Sequence, residues 1–147
     1  MAIWFSKPTI EQVNRSSADT AVAALGIVIT EFGEDGLSGT MPVDSRTRQP
    51  MGLLHGGASV LFAETLCSLG ANYCIDRSKY ACVGQEINAN HLRAASDGLV
   101  HGTAKPIHLG RRSQVWEIQI RDDAGKLVCI SRCTLAMIDR PADLPNG

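Results

Sequence analysis

The feature that most constrains this chain is a stretch, about residues 56–75, that carries a single charged side chain, Glu64. It is rich in Ala, Leu and Ser and has no Pro, which predicts a helix, and its sparse charge implies burial rather than a surface position. A membrane span is the competing reading. Glu64, Asn72, Ser59, Ser68 and the three glycines Gly56, Gly57 and Gly70 make it a poor one, and no second span exists.

What surrounds the helix reads mostly as strand. Thr9-Ile10-Glu11-Gln12 has the capping-box pattern and starts a short N-terminal helix that continues, with or without a break, through the alanines near 21–24. Ile27 and Ile29 read as a strand, Gly33-Glu34-Asp35-Gly36 as a turn, and Leu37, Gly39, Met41 and Val43 alternate with Ser38 and Thr40 as a return strand. Residues 44–55 have a loop composition. From Tyr80 onward four strands are expected, at 80–93, 97–107, 113–122 and 126–138, with Asp97-Gly98 and Asp123-Ala124-Gly125 as turn signals, and three consecutive strands joined by tight turns make an antiparallel meander. The order helix, two strands, long helix, four strands describes an α+β protein whose antiparallel sheet must wrap something, and the apolar helix is the obvious filling. A chain of 147 residues fits one domain, 1–138, followed by a loose tail, 139–147, with Pro141 and Pro145.

A formal charge of -1, from 14 basic and 15 acidic residues, gives no overall field for nucleic acid or an anionic membrane, so an anionic ligand must be met by a local cluster. Residues 1–7 lack the basic-then-apolar order of a signal peptide. Cys67, Cys74, Cys82, Cys129 and Cys133 are an odd set without CxxC spacing, which suits free thiols in the cytoplasm better than disulfides or zinc. The four His lack HxxxH spacing. Neither a metal nor a cofactor is expected.

A carboxylate in an otherwise uncharged helix is costly to desolvate, so such groups persist when paired or used. Glu64 is therefore either catalytic or a buried glutamate held by a strand Arg or Lys or by a wet subunit interface. Upstream, Leu54-His55-Gly56-Gly57 opens the helix with unpaired N–H groups at its positive end, which suits either an oxyanion hole or a plain loop-to-helix junction. Gly56 and Glu64 are eight residues apart, about 12 Å on one helix, and cannot both touch one carbonyl. If both are catalytic, the site combines the helix start of one subunit with Glu64 of another, in an obligate dimer with antiparallel helices. Ser68 follows Glu64 by four residues and shares its face, either to hold a water or simply to pack. Cys67 points about 100° away from Ser68 with no basic neighbour in sequence, and reads as core. Arg111-Arg112 after Gly110, with Arg93, Lys105, His91, His101 and His108 nearby in sequence, suits phosphate binding or a solvated strand end.

Met41-Pro42-Val43-Asp44, Gln49-Pro50, Gly52 through Ala58, Glu64, Glu86 through His91, and Lys105 through Gly110 together resemble the signature of hotdog-fold thioesterases of the 4-hydroxybenzoyl-CoA and phenylacetate-pathway type. Within that group the chain looks most like the menaquinone-pathway and enterobactin-synthesis thioesterases, over roughly residues 3–138. The resemblance implies a long helix wrapped by an antiparallel sheet, in a dimer or a tetramer built as a dimer of dimers. It implies Glu64 as nucleophile or general base, Gly56 N–H polarising the carbonyl, Gln49 assisting, His55 preceding the glycine, and Ser68 helping with water. It assigns CoA contacts to Gly84, to His91, Leu92, Arg93 and Ala94, and to His108, Leu109, Gly110, Arg111, Arg112 and Ser113. Acyl- or aroyl-CoA is the implied substrate, with carrier-protein pantetheine as the alternative carrier.

Two rivals use the same fold. A hydratase or dehydratase pairs a His with a helix carboxylate, but its signature loops are missing from this sequence. A non-catalytic acyl-CoA-binding module needs an output domain, for which 147 residues leave no room.

Overall fold

The computed structural model describes residues 1–145. Its elements run α1 (Ile10–Ser16), α2 (Ala21–Ala24), β1 (Val28–Phe32), β2 (Leu37–Pro42), α3 (Gly56–Tyr73), β3 (Tyr80–His91), β4 (Leu99–Leu109), β5 (Ser113–Asp122) and β6 (Leu127–Asp139). The six strands form one antiparallel sheet, in the order β1-β2-β4-β5-β6-β3.

The Thr9 capping box is present, and the first helix is broken between Ser16 and Ala21, where Asp19 takes a left-handed φ of 58° and Thr20 caps α2. The long helix ends two residues before the expected boundary, at Tyr73, where Cys74 N–H donates to Gly70 O and Ala71 O. The three consecutive strands β4, β5 and β6 form the expected meander, while the turn at Asp97-Gly98 does not join paired strands. Gly98 does turn the chain, with φ 71°, but β4 pairs with β2 and β5, and β3 lies on the far edge against β6. Residues 92–98 carry the chain across the end of the sheet instead. Their crossing is fixed by Leu92 N–H to Val128 O (2.8 Å), Leu54 N–H to Ala95 O (2.7 Å) and Val43 N–H to Gly98 O (2.9 Å). A turn residue reports that the chain bends, not which strand it bends toward.

The core lies between α3 and the sheet. On β5 the alternation is strict, with Gln114, Trp116, Ile118 and Ile120 inward and buried. They meet Phe62, Ala63, Leu66, Cys67 and Gly70, the buried stripe of α3. Bare glycines set the approach: a methyl group at Gly70 would lie 2.7 Å from Leu37 Cδ2 and Trp116 Cη2, and one at Gly102 would lie 2.6 Å from Leu66 Cδ1. Truncating a side chain such as the fully buried Phe62 to Ala would cost about 3–5 kcal/mol. Polar atoms inside are matched: Gln114 accepts from Trp116 Nε1 at 2.9 Å and donates to Ala71 O at 3.4 Å.

The helix is not buried all round. Its second flank, with Leu61, Glu64, Ser68 and Asn72, is only half-buried and faces a cleft. The described segment after β6 is irregular, and in it Arg140 Nη2 donates to Leu144 O (3.2 Å) and Pro145 O (2.7 Å).

Candidate active site

Two places along α3 gather the polar groups. The first is its N-terminus. Thr47, buried in the preceding loop, donates through its hydroxyl to Pro42 O at 2.6 Å and accepts the His55 N–H on its carbonyl at 2.8 Å. His55 is thereby set as the N-cap of α3, and its Nδ1 accepts the Gly57 N–H at 2.8 Å. The carbonyl of His55 takes the N–H groups of Ala58 and Ser59. Gly56 N–H is left with no acceptor among the described residues, at the positive end of an 18-residue helix. Over this glycine sits His91: a methyl group at Gly56 would lie 2.8 Å from His91 Nε2.

Gln49 belongs to the same loop. Its N–H donates to Leu53 O (2.8 Å), its carbonyl accepts from Gly52 N–H (2.9 Å), and its side-chain oxygen accepts the Met51 N–H. The loop is braced further by Arg48, which donates to Ser96 O at 2.7 and 3.1 Å, and by Arg46, whose bonds to Asp44 hold that carboxyl down at about 2.

The second place is Glu64, midway along α3. Glu64, Ser68 and Asn72 recur at four-residue steps and line one cleft of about 650 Å³, together with Leu61, Leu69 and Val83. Among the described residues no hydrogen bond or ion pair engages the Glu64 carboxylate, so the reading of a glutamate held by a strand Arg or Lys is not met within one chain. Gly84 of β3 leaves room for it, because a methyl group there would overlap Glu64 Oε1. Asn72 fixes β3 to the helix: its Oδ1 accepts Cys82 N–H at 2.9 Å and its Nδ2 donates to Cys82 O at 3.0 Å.

Gly56 and Glu64 stand on one unbroken helix, so the separation of about 12 Å holds. The Glu64 cleft is lined by Ser68 but by none of Gln49, His55, Gly56, His91, Arg93 or the 108–113 turn. Those residues lie elsewhere. Leu92 and Arg93 both donate backbone N–H groups to Val128 O, and Ala94 follows them on the exposed crossing. His108, Leu109, Arg111 and Arg112 are exposed around the β4–β5 turn, closed by Gly110 N–H to Ser113 O at 2.9 Å.

Cys67 is fully buried in the core, and its neighbour Cys133 together with burial pushes its thiol well up, away from the thiolate a nucleophile needs. Among the described residues no group of three or more His, Cys, Asp or Glu is placed to hold a metal ion, and no helix is long and apolar enough to cross a membrane. Asn72, Tyr73, Arg77 and the α1–α2 elbow escaped the sequence reading as cleft residues. Asn72 could have been found, since it continues the four-residue step from Glu64 through Ser68.

In chemical terms the helix offers a free N–H at its positive end and a carboxylate on its flank, the two parts needed to polarise a carbonyl and deliver an oxygen nucleophile. A family model described as thioesterase superfamily matches residues 51–129. The chain is 50% identical over 136 residues to the 1,4-dihydroxy-2-naphthoyl-CoA hydrolase of Escherichia coli K12, spanning 92% of this chain and 99% of that protein. It is 52% identical over 136 residues to the proofreading thioesterase EntH of Cronobacter sakazakii, spanning 92% and 98%. Among solved structures, a mutant thioesterase from Pseudomonas aeruginosa superposes with a TM-score of 0.93 at 47% identity, over 95% of this chain and 100% of that one. A thioesterase from Haemophilus influenzae does so at 0.91 and 49%, over 93% and 95%. Similarity at this level over nearly the whole length carries fold and reaction together. The chain belongs to the thioesterase superfamily: it has the hotdog fold and is an enzyme that hydrolyses thioesters.

Proposed function

We propose that this enzyme hydrolyses acyl- or aroyl-CoA thioesters in the cytoplasm, in a site shared between two copies of the chain, with Glu64 as the catalytic carboxylate. The observation that carries the proposal is the half-buried Glu64 in an apolar cleft, on the same rigid helix as a free Gly56 N–H that it cannot reach. Gly56 N–H polarises the thioester carbonyl, with Gln49 and His55 beside it. Glu64 of the partner either attacks that carbonyl or takes a proton from water, and Ser68 holds the water. The products are the free acid and the thiol.

The edge of β3 supplies a route to the shared site. Among the described residues this 12-residue strand pairs with β6 on one side only, and long open edges are ordinarily covered. Directly paired residues share a face of the sheet. Gly84, Ile87, Ala89 and His91 pair with the buried Leu135, Cys133, Ser131 and Cys129, so all four face inward, with the bulge between Gly84 and Glu86 absorbing the extra residue. Antiparallel pairing of two β3 edges about Asn88 keeps this alternation and sets Gly84 opposite the partner subunit's His91. Gly84 abuts Glu64 and His91 abuts Gly56, so the same register brings Glu64 toward the partner subunit's Gly56. A dimer is the working unit, and a dimer of dimers the fuller assembly.

CoA binds through Gly84, through His91 to Ala94, and through the basic turn His108 to Ser113, where exposed guanidiniums suit phosphates. Aromatic acyl groups are favoured by the activity named for the Escherichia coli relative. An acyl carrier protein's pantetheine offers the same reacting group. The test is thiol release from a panel of benzoyl-, hydroxynaphthoyl-, phenylacetyl- and straight-chain acyl-CoAs with wild type and Glu64→Gln. Hydrolysis by wild type that collapses in the variant supports the proposal. Equal rates refute the role of Glu64, and silence across the panel moves the substrate to a carrier protein.

A further inference from the structure

We infer that residues 140–145 form the far wall of the acyl cleft and so limit the length of acyl group that the enzyme accepts, an inference that rests on reading the Glu64 cleft as the acyl site. The cleft has a direction. Its lining runs along α3 from Leu61 through Glu64, where Gly84 of β3 abuts the carboxylate, to Asn72, about 12 Å beyond Glu64, and on to Tyr73. Arg140, Leu144 and Pro145 line it too, as do Ser17 and Thr20 of the α1–α2 elbow, and Arg140 is anchored at Lys79, beside the start of β3.

The wall is held in place by one side chain. Arg140 N–H donates to Lys79 O (2.8 Å), which fixes where the segment leaves the sheet, and Leu144 N–H donates to Pro141 O (3.2 Å), which turns it back. The Arg140 guanidinium then gathers the carbonyls of Leu144 and Pro145. Backbone without strand or helix partners is thus ordered by a charge-assisted pair of hydrogen bonds. Leu144 adds an apolar group to a lining that is already apolar through Leu61, Leu69, Val22 and Val83. Arg140 is a positioning residue and Leu144 a specificity-determining one.

The test compares kcat/KM for acyl-CoAs from butanoyl to hexadecanoyl in wild type, Arg140→Ala, Arg140→Lys and Leu144→Trp. Arg140→Ala should raise the long-to-short ratio about tenfold or more, mainly through KM for the long substrates. Leu144→Trp should lower the ratio, and Arg140→Lys should restore most of the wild-type profile. Ratios unchanged in both Arg140→Ala and Leu144→Trp overturn the inference. The same ratio is read without turnover from the Kd of each acyl-CoA on a Glu64→Gln background. A shift in Kd ratio with no hydrolysis by wild type would sink the hydrolytic reading and leave the wall standing.

Discussion

Gly84 and Glu64 share one space: the carboxylate oxygen Oε1 lies where any side chain on residue 84 would begin. A β-strand position without a side chain is normally a weakness, and here it lets an acidic group stand upright between helix and strand. Gly84→Ala should therefore fold but rotate Glu64 out of its place. Displacements of this size typically lower kcat by about 10- to 100-fold, so steady-state kinetics beside an unchanged circular dichroism spectrum are the check.

The same logic applies at the helix start. Gly56→Ala keeps the N–H but sets a methyl group 2.8 Å from His91 Nε2, so the loss of activity should come from the clash. Adding His91→Ala should recover part of kcat. Failure to recover would mean that the methyl group itself blocks the carbonyl.

Thiol titration gives a stability signature. Burial holds the Cys74 and Cys82 thiols up at about 12 and about 11, against 9.0 for an unperturbed thiol. As pH rises past 9.0 the thiols of the unfolded chain ionise first while those of the folded chain stay neutral. Their contribution is complete below that pH and is lost as pH climbs through the folded values. The urea midpoint should fall over this window, and fall less in Cys74→Ala/Cys82→Ala. Equal slopes would place the titrating groups elsewhere.

The β3 register is also testable. A two-fold at Asn88 sets that residue opposite itself, at a separation that a disulfide can span. Asn88→Cys should cross-link to a dimer under copper phenanthroline oxidation on a non-reducing gel, while Glu86→Cys should not, because Glu86 stands opposite the partner subunit's Asn90. Efficient cross-linking of the second variant alone would shift the register.

Much of this was legible in the sequence, for identifiable reasons. One acidic residue in an uncharged helix cannot be placed at random, and its eight-residue distance from Gly56 fixes a geometry that survives any error in the strands. The strand order was harder. Gly98 marks a bend, but the partner of β4 is decided by hydrogen bonds from Val43 and Leu54 to the crossing segment, contacts distant in sequence that no local pattern records. The bonds of Arg140 are hidden in the same way, because their partners are backbone carbonyls and leave no mark in the residue types.

The central claim, that Glu64 and Gly56 from different copies build one catalytic site, is tested most directly by mixing two inactive variants. Glu64→Gln and Gly56→Ala are each purified, unfolded together and refolded. In a composite site each mixed dimer holds one intact pair, and with random pairing the mixture should regain about a quarter of wild-type acyl-CoA hydrolysis. Activity no greater than the sum of the separate variants, with mixed dimers shown to form, would contradict the claim and place the whole site within a single chain.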